Sequence, residues 1–403
     1  MKAYTLAEYA SQEAKRHPHT FFAVHHQSVP LSCFTLPNGL NGWIVTGYQE
    51  TERFLKDPRL TKDLSTIFTR EQIRQYYPEV FLCLTKQMLN VDPPEHTRLR
   101  GIVAHAFIPR AVEQLRDRIQ HITDMLLDAL AEQKEVDFVS SFAFPLPIMV
   151  ISEILGIPEA LRQPLHALFQ TPLATTADPD TTSEMHPDLE MTLLDYYKQL
   201  LAFKRAHPGG DLVSQLIHVE KQALSEQELM NTINLLIGAG YETTAHLIGT
   251  GMLALLQYPD QMQLLRMHPE LIEQAIEELL RYVSPVSILT ERWCREDMHY
   301  AGQQMQRGDQ VFISLSAAHV DPRSYCHAER LDILRKEQKH LAFGKGTHYC
   351  LGASLARLEA RIAFTTLLRR FPRIRLMADP ETLPWCPYYL FRGVSWLPVR
   401  LSA

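Results

Sequence analysis

Apolar residues recur at intervals of three and four along most of the chain, which is the spacing of a helix that buries one face. The clearest repeat lies in residues 111–130 and consists of Val112, Leu115, Ile119, Ile122, Met125 and Leu126. Residues 139–155 form a second apolar stretch, and we expect Pro145 and Pro147 to break it. Residues 169–190 are rich in Pro, Asp and Thr, so this segment is predicted to be a mobile loop between helices.

Strand-like segments are sparse. Residues 42–46 and 310–315 have the β-branched and aromatic content that is typical of strands. The pattern therefore predicts a mainly α protein with small β-sheets. Without repeats or a low-complexity linker, residues 1–403 are expected to form a single large domain. We divide it into a β-containing N-terminal part at about 1–65 and an α-rich part at about 66–403.

The longest helix signal begins at a capping box and ends at a proline. Ser225 and Glu228 have the Ser-x-x-Glu spacing of such a box, and helical character continues to Tyr258, which precedes Pro259. A helix of about 32 residues is roughly 48 Å long, enough to cross a domain of this size. Its apolar content indicates that it is buried along much of its length.

The composition excludes several classes of function. Of the 403 residues, 46% are hydrophobic and 21% charged, as in a soluble globular protein, and the formal charge of −6 gives no basic field for nucleic acid. The six cysteines are scattered without a Cys-x-x-Cys pair, which argues against structural zinc and fits a reducing compartment. Since neither a signal core nor an apolar run of membrane-spanning length is found, we expect a cytoplasmic protein without a membrane anchor.

The most specific chemistry lies in a glycine-punctuated loop around one cysteine. It reads Phe343-Gly344-Lys345-Gly346-Thr347-His348-Tyr349-Cys350-Leu351-Gly352, and a helix-forming run follows at once. Glycines allow the backbone to turn tightly and to approach a flat ligand. The N–H groups at the start of the helix favour a thiolate at Cys350, and a thiolate is a good axial ligand for haem iron. The alternative is an ordinary buried cysteine in a turn.

A second unusual segment places an acid and two threonines inside the long helix. It reads Gly238-Ala239-Gly240-Tyr241-Glu242-Thr243-Thr244. Polar groups in a buried apolar helix are costly unless they form hydrogen bonds, and each glycine weakens the helix by about 1 kcal/mol relative to alanine. The alternative is a kinked core helix whose threonines bond to the carbonyl groups four residues earlier.

The two segments resemble the motifs Phe-x-x-Gly-x-His-x-Cys-x-Gly and (Ala/Gly)-Gly-x-(Asp/Glu)-Thr-(Thr/Ser) of the cytochrome P-450 superfamily. The resemblance extends over nearly the whole chain and implies the cytochrome P-450 fold, with haem b between the long central helix and the cysteine loop. It implies that Cys350 binds the iron. Phe343, Gly344 and Gly352 would then shape the loop around the cofactor.

The same resemblance gives roles to three residues of the long helix. Thr243 would hydrogen-bond the dioxygen co-substrate, and Glu242 would relay protons to it from solvent. The small side chain of Ala239 would leave room for dioxygen. Thr243 and Glu242 are thus the predicted catalytic residues.

Four cations would bind the two haem propionates if the resemblance holds. His96 and Arg100 lie four residues apart, so they point to the same side of a helix. Arg292 matches a strand arginine of the family, and His348 matches the histidine two residues before the iron ligand. Arginine suits bidentate binding of a carboxylate. Taken singly, each of the four is an ordinary surface charge.

Glu278 and Arg281 have the spacing of the family's buried Glu-x-x-Arg pair. In the family an arginine before the cysteine loop is the third partner. The stretch Ala328-Glu329-Arg330-Leu331 makes Arg330 the match here. We expect these three charged residues to be structural.

By position in the family, apolar residues line a substrate pocket next to the haem. The predicted lining residues are Met88, Leu235, Gly238, Ile288, Leu289, Tyr389 and Leu390, with Phe81 and Leu84 as further contributors. Simple core packing is the alternative for each of them. A roomy apolar pocket favours a lipophilic substrate such as a polyketide, macrolide, terpenoid or fatty acyl chain.

Electrons are expected from a separate protein, because 403 residues leave no room for a reductase domain. We expect a ferredoxin or a flavodoxin with its reductase, docked on Lys345, Arg98 and Arg357. The chain itself is expected to be a monomer.

The leading interpretation is a haem-thiolate monooxygenase that hydroxylates or epoxidises a lipophilic small molecule, similar to polyketide- and macrolide-tailoring enzymes. A peroxide-driven peroxygenase of the fatty-acid type is a second reading, although such family members usually lack the acid–threonine pair. A haem-thiolate gas sensor is a third reading, and a sensor needs neither Glu242 nor Thr243.

Overall fold

Helices account for most of the structure, a computed structural model that describes residues 5–27, 30–36, 39–76, 87–170, 187–337 and 339–402. The α-helices span Leu6–Tyr9, Gln12–Arg16, Pro18–Gln27, Tyr48–Phe54, Arg70–Tyr76, Glu95–Ala104, Pro109–Glu113, Arg116–Ala131, Pro145–Leu155, Glu159–Gln170, Pro187–Ala206, Leu212–Ala223, Glu226–Gln257, Pro259–Met267, Ile272–Val283, Leu315–Ala318 and Ala353–Arg370. None of these described helices has both the length and the apolar content needed to cross a membrane. The expectation of a mainly α protein is confirmed.

Short strands form the β portion of the described chain. They are β1 (Leu31–Thr35), β2 (Asn41–Val45), β3 (Leu60–Thr61), β4 (Glu135–Asp137), β5 (Ile288–Cys294), β6 (Met298–Tyr300), β7 (Gln303–Met305), β8 (Gln310–Ser314), β9 (Arg375–Leu376) and β10 (Pro398–Arg400). The sheets have the orders β1-β2-β8-β5-β3, β4-β10-β9 and β6-β7. The two predicted strands are confirmed as β2 and β8, which lie side by side in parallel with Ile44 opposite Phe312.

The largest sheet joins distant parts of the chain. β2 and β8 are parallel, so a long connection must separate them in sequence. Strands β5 and β8, at residues 288–314, complete the sheet that residues 31–61 begin. Strands therefore occur in both the N-terminal part at about 1–65 and the α-rich part at about 66–403, and the division into these two parts stays a prediction.

The predicted long helix is confirmed as Glu226–Gln257 and is called the central helix below. The hydroxyl of Ser225 accepts the N–H of Glu228 at 3.3 Å, and the carboxylate of Glu228 accepts the N–H of Ser225 at 2.8 Å. These two bonds complete the predicted capping box. Helices Pro145–Leu155, Ile272–Val283 and Ala353–Arg370 pack around the central helix. It therefore forms the core of the α-helical part.

Two predicted helical stretches differ in detail from the structure. The repeat in 111–130 divides into helices Pro109–Glu113 and Arg116–Ala131. Pro145 and Pro147 do not break the second stretch: the first begins helix Pro145–Leu155 and the second lies in its first turn, where the N–H groups need no partner within the helix. A π-helical turn, Val139–Ala143, precedes it.

The predicted loop at 169–190 is shorter than expected at both ends. Helix Glu159–Gln170 extends into it, and helix Pro187–Ala206 begins within it. The remainder of the segment lies outside the described residues.

A buried charge cluster joins helix Ile272–Val283 to the segment before the cysteine loop. The Glu278 carboxylate accepts two hydrogen bonds from Arg281, at 2.8 Å each, and Arg335 Nε lies 3.1 Å from both of its oxygens. The assignment of Arg330 as the third partner is wrong, since its side chain is 70% exposed. Its backbone carbonyl accepts hydrogen bonds from both buried arginines instead. The main chain at Arg330 faces the cluster, so its side chain points outward.

Replacing Arg335 with alanine should destabilise the protein far more than replacing Arg330. Arg335→Ala leaves part of the charge of a buried carboxylate unpaired, which costs about 3 kcal/mol, whereas an exposed arginine costs at most about 0.5 kcal/mol. Urea denaturation of both variants measures the difference as a lower midpoint for Arg335→Ala. Equal midpoints would contradict the role of Arg335 as the third partner.

Candidate functional site

The loop before Cys350 is a tight turn closed by backbone hydrogen bonds. Gly344 and Gly346 have φ angles of +66° and +76°, a left-handed conformation that other residues adopt only with strain. The N–H of Cys350 donates to the carbonyl of Phe343 at 2.8 Å. The Arg357 guanidinium lies over the Phe343 ring, 4.4 Å from its centroid. These contacts fix the position of Cys350 just before helix Ala353–Arg370.

Opposing effects act on the thiol of Cys350, whose side chain is exposed on one side. Desolvation by the surrounding protein raises the pKa of this thiol, while the Gly352 N–H and the guanidinium groups of Arg100 and Arg357 lower it. The net effect is a raised pKa. The start of the helix therefore acts in the predicted direction but does not by itself produce a thiolate. A metal ion bound to the sulfur would displace the proton.

The structure brings the four predicted propionate-binding residues into one region. The rings of His96 and His348 lie 4.4 Å apart, centroid to centroid. Arg100 donates to the backbone carbonyl of the residue after His348 at 2.8 Å. Burial lowers the pKa of His348, and the charges of Lys62 and Arg292 add to this effect.

Positive charge and unpaired nitrogens at this site need an anionic partner. Arg292 is 7% exposed, and the only hydrogen bond of its guanidinium group within the described chain is a long one, 3.5 Å to the carbonyl of Thr290. Burial lowers the pKa of Arg292 to about 10. Nδ1 of His96 and Nε2 of His348 are buried without a hydrogen-bond partner among the described residues. Such groups are costly unless a ligand satisfies them.

Lys62 and Asp92 also belong to this region, although no motif marked them. Lys62 is buried and donates to two backbone carbonyls of β5, at 3.0 and 3.2 Å, and burial lowers its pKa to about 7. Asp92 lies 4.0 Å from Nε2 of His348 and forms an ion pair with Arg295 at 2.6 Å. The negative charge of Asp92 offsets part of the burial effect on the pKa of Arg292, but Asp92 forms its own close ion pair with Arg295.

One face of the central helix is open near its middle. Leu235, Gly238, Ala239, Glu242 and Thr243 are exposed or half-buried there, whereas residues 244–255 are buried. These five positions repeat at intervals of three and four, so they share a face. The hydroxyl of Thr243 donates to the carbonyl of Ala239 at 3.0 Å. The alternative of a kinked core helix, whose threonines bond to carbonyl groups four residues earlier, predicts the same bond.

The predicted substrate residues divide into two groups. Leu235, Gly238 and Leu289 are half-buried and are therefore available to line a pocket. Met88, Ile288, Tyr389 and Leu390 are almost fully buried. The last three of these pack in one core cluster with Ile44 and Phe312, which fits the core-packing alternative. Phe81 and Leu84 lie outside the described residues.

The three cations predicted to dock an electron donor are paired within the chain. Lys345 pairs with Glu52, Arg98 with Glu95 and Glu228, and Arg357 with Glu277. Because each positive charge has a carboxylate beside it, the surface is less basic than the sequence indicated. Lys345 remains 45% exposed.

The residues present fit a haem b group. Cys350 offers an exposed sulfur, and a cationic cluster beside it needs a dianion, which the two propionates would supply. The open face of the central helix offers small residues where a flat ligand needs space. Cys386, by contrast, is 5% exposed and packs against His246 of the central helix. A macrocycle cannot surround the sulfur of Cys386 without displacing that packing.

Comparisons with known proteins agree with this site. A family model described as Cytochrome P450 matches residues 154–385. Polyketide biosynthesis cytochrome P450 PksS of Bacillus subtilis (strain 168) is 42% identical over 367 residues, 89% of each chain. Cytochrome P450 monooxygenase PikC of Streptomyces venezuelae is 39% identical over 96% of this chain and 92% of its own. The crystal structure of myxobacterial cytochrome P450 CYP267B1 in complex with myristic acid has a TM-score of 0.92 at 36% identity, covering 99% of this chain and 100% of its own.

The family match covers more than half of the chain, and both relatives align with most of it. The structural likeness confirms the predicted fold. The family binds haem b and uses O2 as co-substrate. The chain therefore belongs to the cytochrome P450 family and is a haem-thiolate monooxygenase.

Proposed function

We propose that Cys350 is the iron ligand and that His96, Arg100, Arg292 and His348 bind the haem propionates. The buried charge of Arg292, next to two histidine nitrogens that no described residue satisfies, is the observation that carries this assignment. Bound haem b supplies the iron at which dioxygen is activated. The loop around Cys350 holds the sulfur in place, and the cations orient the propionate edge.

Thr243 and Glu242 are the proposed proton-delivery residues. Both lie on the open face of the central helix, and the Glu242 side chain is 21% exposed, so it can exchange protons with solvent. The Thr243 hydroxyl donates to the Ala239 carbonyl at 3.0 Å, and by rotating about its C–O bond it can donate the same proton toward the open face instead. The small side chain of Ala239 leaves space between these two residues and the proposed haem.

The proposed substrate is a lipophilic secondary metabolite of the polyketide or macrolide type, or a terpenoid or fatty acyl chain of similar size. The half-buried positions Leu235, Gly238 and Leu289 are apolar or lack a side chain, which supports a lipophilic substrate. PksS is described as an enzyme of polyketide biosynthesis, and the CYP267B1 structure holds myristic acid. Both names support substrates of this class.

Bacterial members of the family typically take electrons from ferredoxin-type partners. A ferredoxin or flavodoxin with its reductase is the proposed donor here. Its acidic surface would compete with Glu52 for the exposed Lys345. A monomeric state stays a prediction.

Thr243→Ala should uncouple oxygen use from product formation. Loss of the hydroxyl removes a proton-delivery group, so we expect product formation to fall about tenfold while hydrogen peroxide accumulates. The yields of product and peroxide per reducing equivalent measure this. Thr232→Ala is the matched control, because Thr232 lies on the same helix and also donates to the carbonyl four residues earlier. Unchanged coupling in Thr243→Ala would contradict the monooxygenase role of this residue and favour a sensor.

Arg292→Gln should loosen the haem. A charge-assisted hydrogen bond contributes about 2 kcal/mol, so its loss should speed haem transfer to a haem-scavenging protein roughly 30-fold. The exposed Arg110 gives the control variant Arg110→Gln, for which the transfer rate should match that of the wild type. Equal rates for both variants would contradict propionate binding by Arg292.

Gly238→Leu should exclude bulky substrates while leaving the haem site intact. A leucine side chain on the open helix face fills the space next to the ligand, so we expect a macrolide-sized substrate to bind at least about tenfold more weakly. Titration of the haem spin-state change measures binding. Gly101→Leu, at a position where an added Cβ contacts nothing within 4 Å, is the control. Equal weakening in both variants would show that Gly238 does not line the pocket.

A further inference from the structure

Glu242, His246 and Cys386 bring three metal-binding side chains together beside the central helix. A carboxylate oxygen, an imidazole nitrogen and the sulfur lie within 4.8 Å of one another. Glu242 and His246 are four residues apart on the helix and therefore share a face. Cys386 comes from a distant hairpin, where its N–H donates to the carbonyl of Gly393 at 2.8 Å. The triad thus joins two separate parts of the chain.

His246 is a buried side chain that needs a ligand. It is 3% exposed, and neither ring nitrogen has a hydrogen-bond partner within the described residues. Gly393 makes room for the ring, since an added Cβ there would lie 2.0 Å from Nδ1 of His246. The rings of Phe144 and Phe391 flank the imidazole, with centroids 5.7 Å away in each case. Glu242 lies within ion-pair distance of the ring, at 3.7 Å, but a buried imidazole without a hydrogen bond of normal length costs free energy.

The spacing within the triad suits a metal ion better than a hydrogen bond. Nε2 of His246 lies 3.7 Å from Oε1 of Glu242. A hydrogen bond between such atoms is about 2.7–3.2 Å long. Two light ligand atoms at about 2.0–2.1 Å from a tetrahedral zinc ion lie about 3.3 Å apart. A small side-chain adjustment is therefore enough to close the triad around an ion.

We propose that Glu242, His246 and Cys386 bind one zinc ion, with water as the fourth ligand. Zinc accepts sulfur, nitrogen and oxygen ligands together, whereas magnesium and calcium prefer oxygen alone. A thiolate and a carboxylate neutralise the two positive charges of the ion, as a buried site requires. Lys15 steadies the hairpin by donating to the backbone carbonyls of Cys386 and Tyr388. Binding releases the thiol proton to solvent.

Zinc at this site would also control proton delivery, a consequence that rests on the proposed function. Glu242 cannot hold a zinc ion and relay protons at the same time. Occupancy of the triad should therefore lower turnover without changing haem content or substrate affinity. The metal binding itself does not depend on the role of Glu242 in turnover.

Zinc binding to the holoenzyme is the first test. After equilibrium dialysis against Zn²⁺, elemental analysis should give one tightly bound zinc per chain in the wild type. His246→Asn and Cys386→Ser should each weaken binding at least tenfold. The double variant Cys33→Ser/Cys326→Ser, which removes two exposed thiols, is the control and should retain the zinc. No stoichiometric zinc in the wild type, or zinc lost only in the control, would overturn the proposal.

X-ray absorption at the zinc edge tests the ligand set without any variant. The proposal requires one sulfur at about 2.3 Å and nitrogen or oxygen ligands at about 2.0 Å. A shell without sulfur would overturn it. Haem content measured on each variant shows whether that variant has folded.

Turnover with and without zinc separates this proposal from the proposed function. Saturating zinc should reduce wild-type turnover about 100-fold, the size of a general-acid contribution, and a chelator should restore it. Cys386→Ser should not respond to zinc. Full turnover with zinc bound through sulfur would contradict the role of Glu242 in proton delivery while the zinc site stands.

Discussion

The structure depends on a buried positive charge, that of Arg292, to which no carboxylate of the described residues is hydrogen-bonded. Arg292 is almost fully buried, and the one hydrogen bond of its guanidinium group among the described residues is long. Two histidine nitrogens beside it are equally unsatisfied. A fold keeps such a group only when a ligand supplies the missing charge. In the proposed assignment the haem propionates would supply it, and the cofactor would then be part of the core rather than an addition to it.

The central helix provides the second part of the proposed active site, opposite the cysteine loop. Most of its length is buried, which fixes its position, but one face opens at Ala239 and Thr243. On the other side of the proposed haem, the glycine turn and the Arg357–Phe343 contact fix Cys350. In the proposed site, rigid elements would thus hold both faces of the cofactor, as precise positioning of a reacting centre requires. The same helix carries Glu242 and His246, so the proposed zinc site and the oxygen site share one element.

Local signals in the sequence predicted the parts of the fold that local interactions determine. The capping box at Ser225 marks the start of the central helix, and glycines mark the cysteine turn. Spacing alone does not show which arginine turns inward, so the motif predicts Arg330, whereas Arg335 binds Glu278 in the structure. Spacing also does not show whether Ile288 packs in the core or lines the substrate pocket. In the triad of Glu242, His246 and Cys386, the histidine and the cysteine are 140 positions apart in the sequence. The absence of a Cys-x-x-Cys motif therefore gives no information about this site.

The central claim is that Cys350, and not the buried Cys386, supplies the thiolate to the haem iron. The most direct test is the absorbance of the dithionite-reduced protein with carbon monoxide, recorded for Cys350→Ser and Cys386→Ser. We predict that Cys386→Ser keeps the long-wavelength Soret band of a thiolate-bound haem and that Cys350→Ser loses it. A band that disappears in Cys386→Ser and persists in Cys350→Ser would contradict this account.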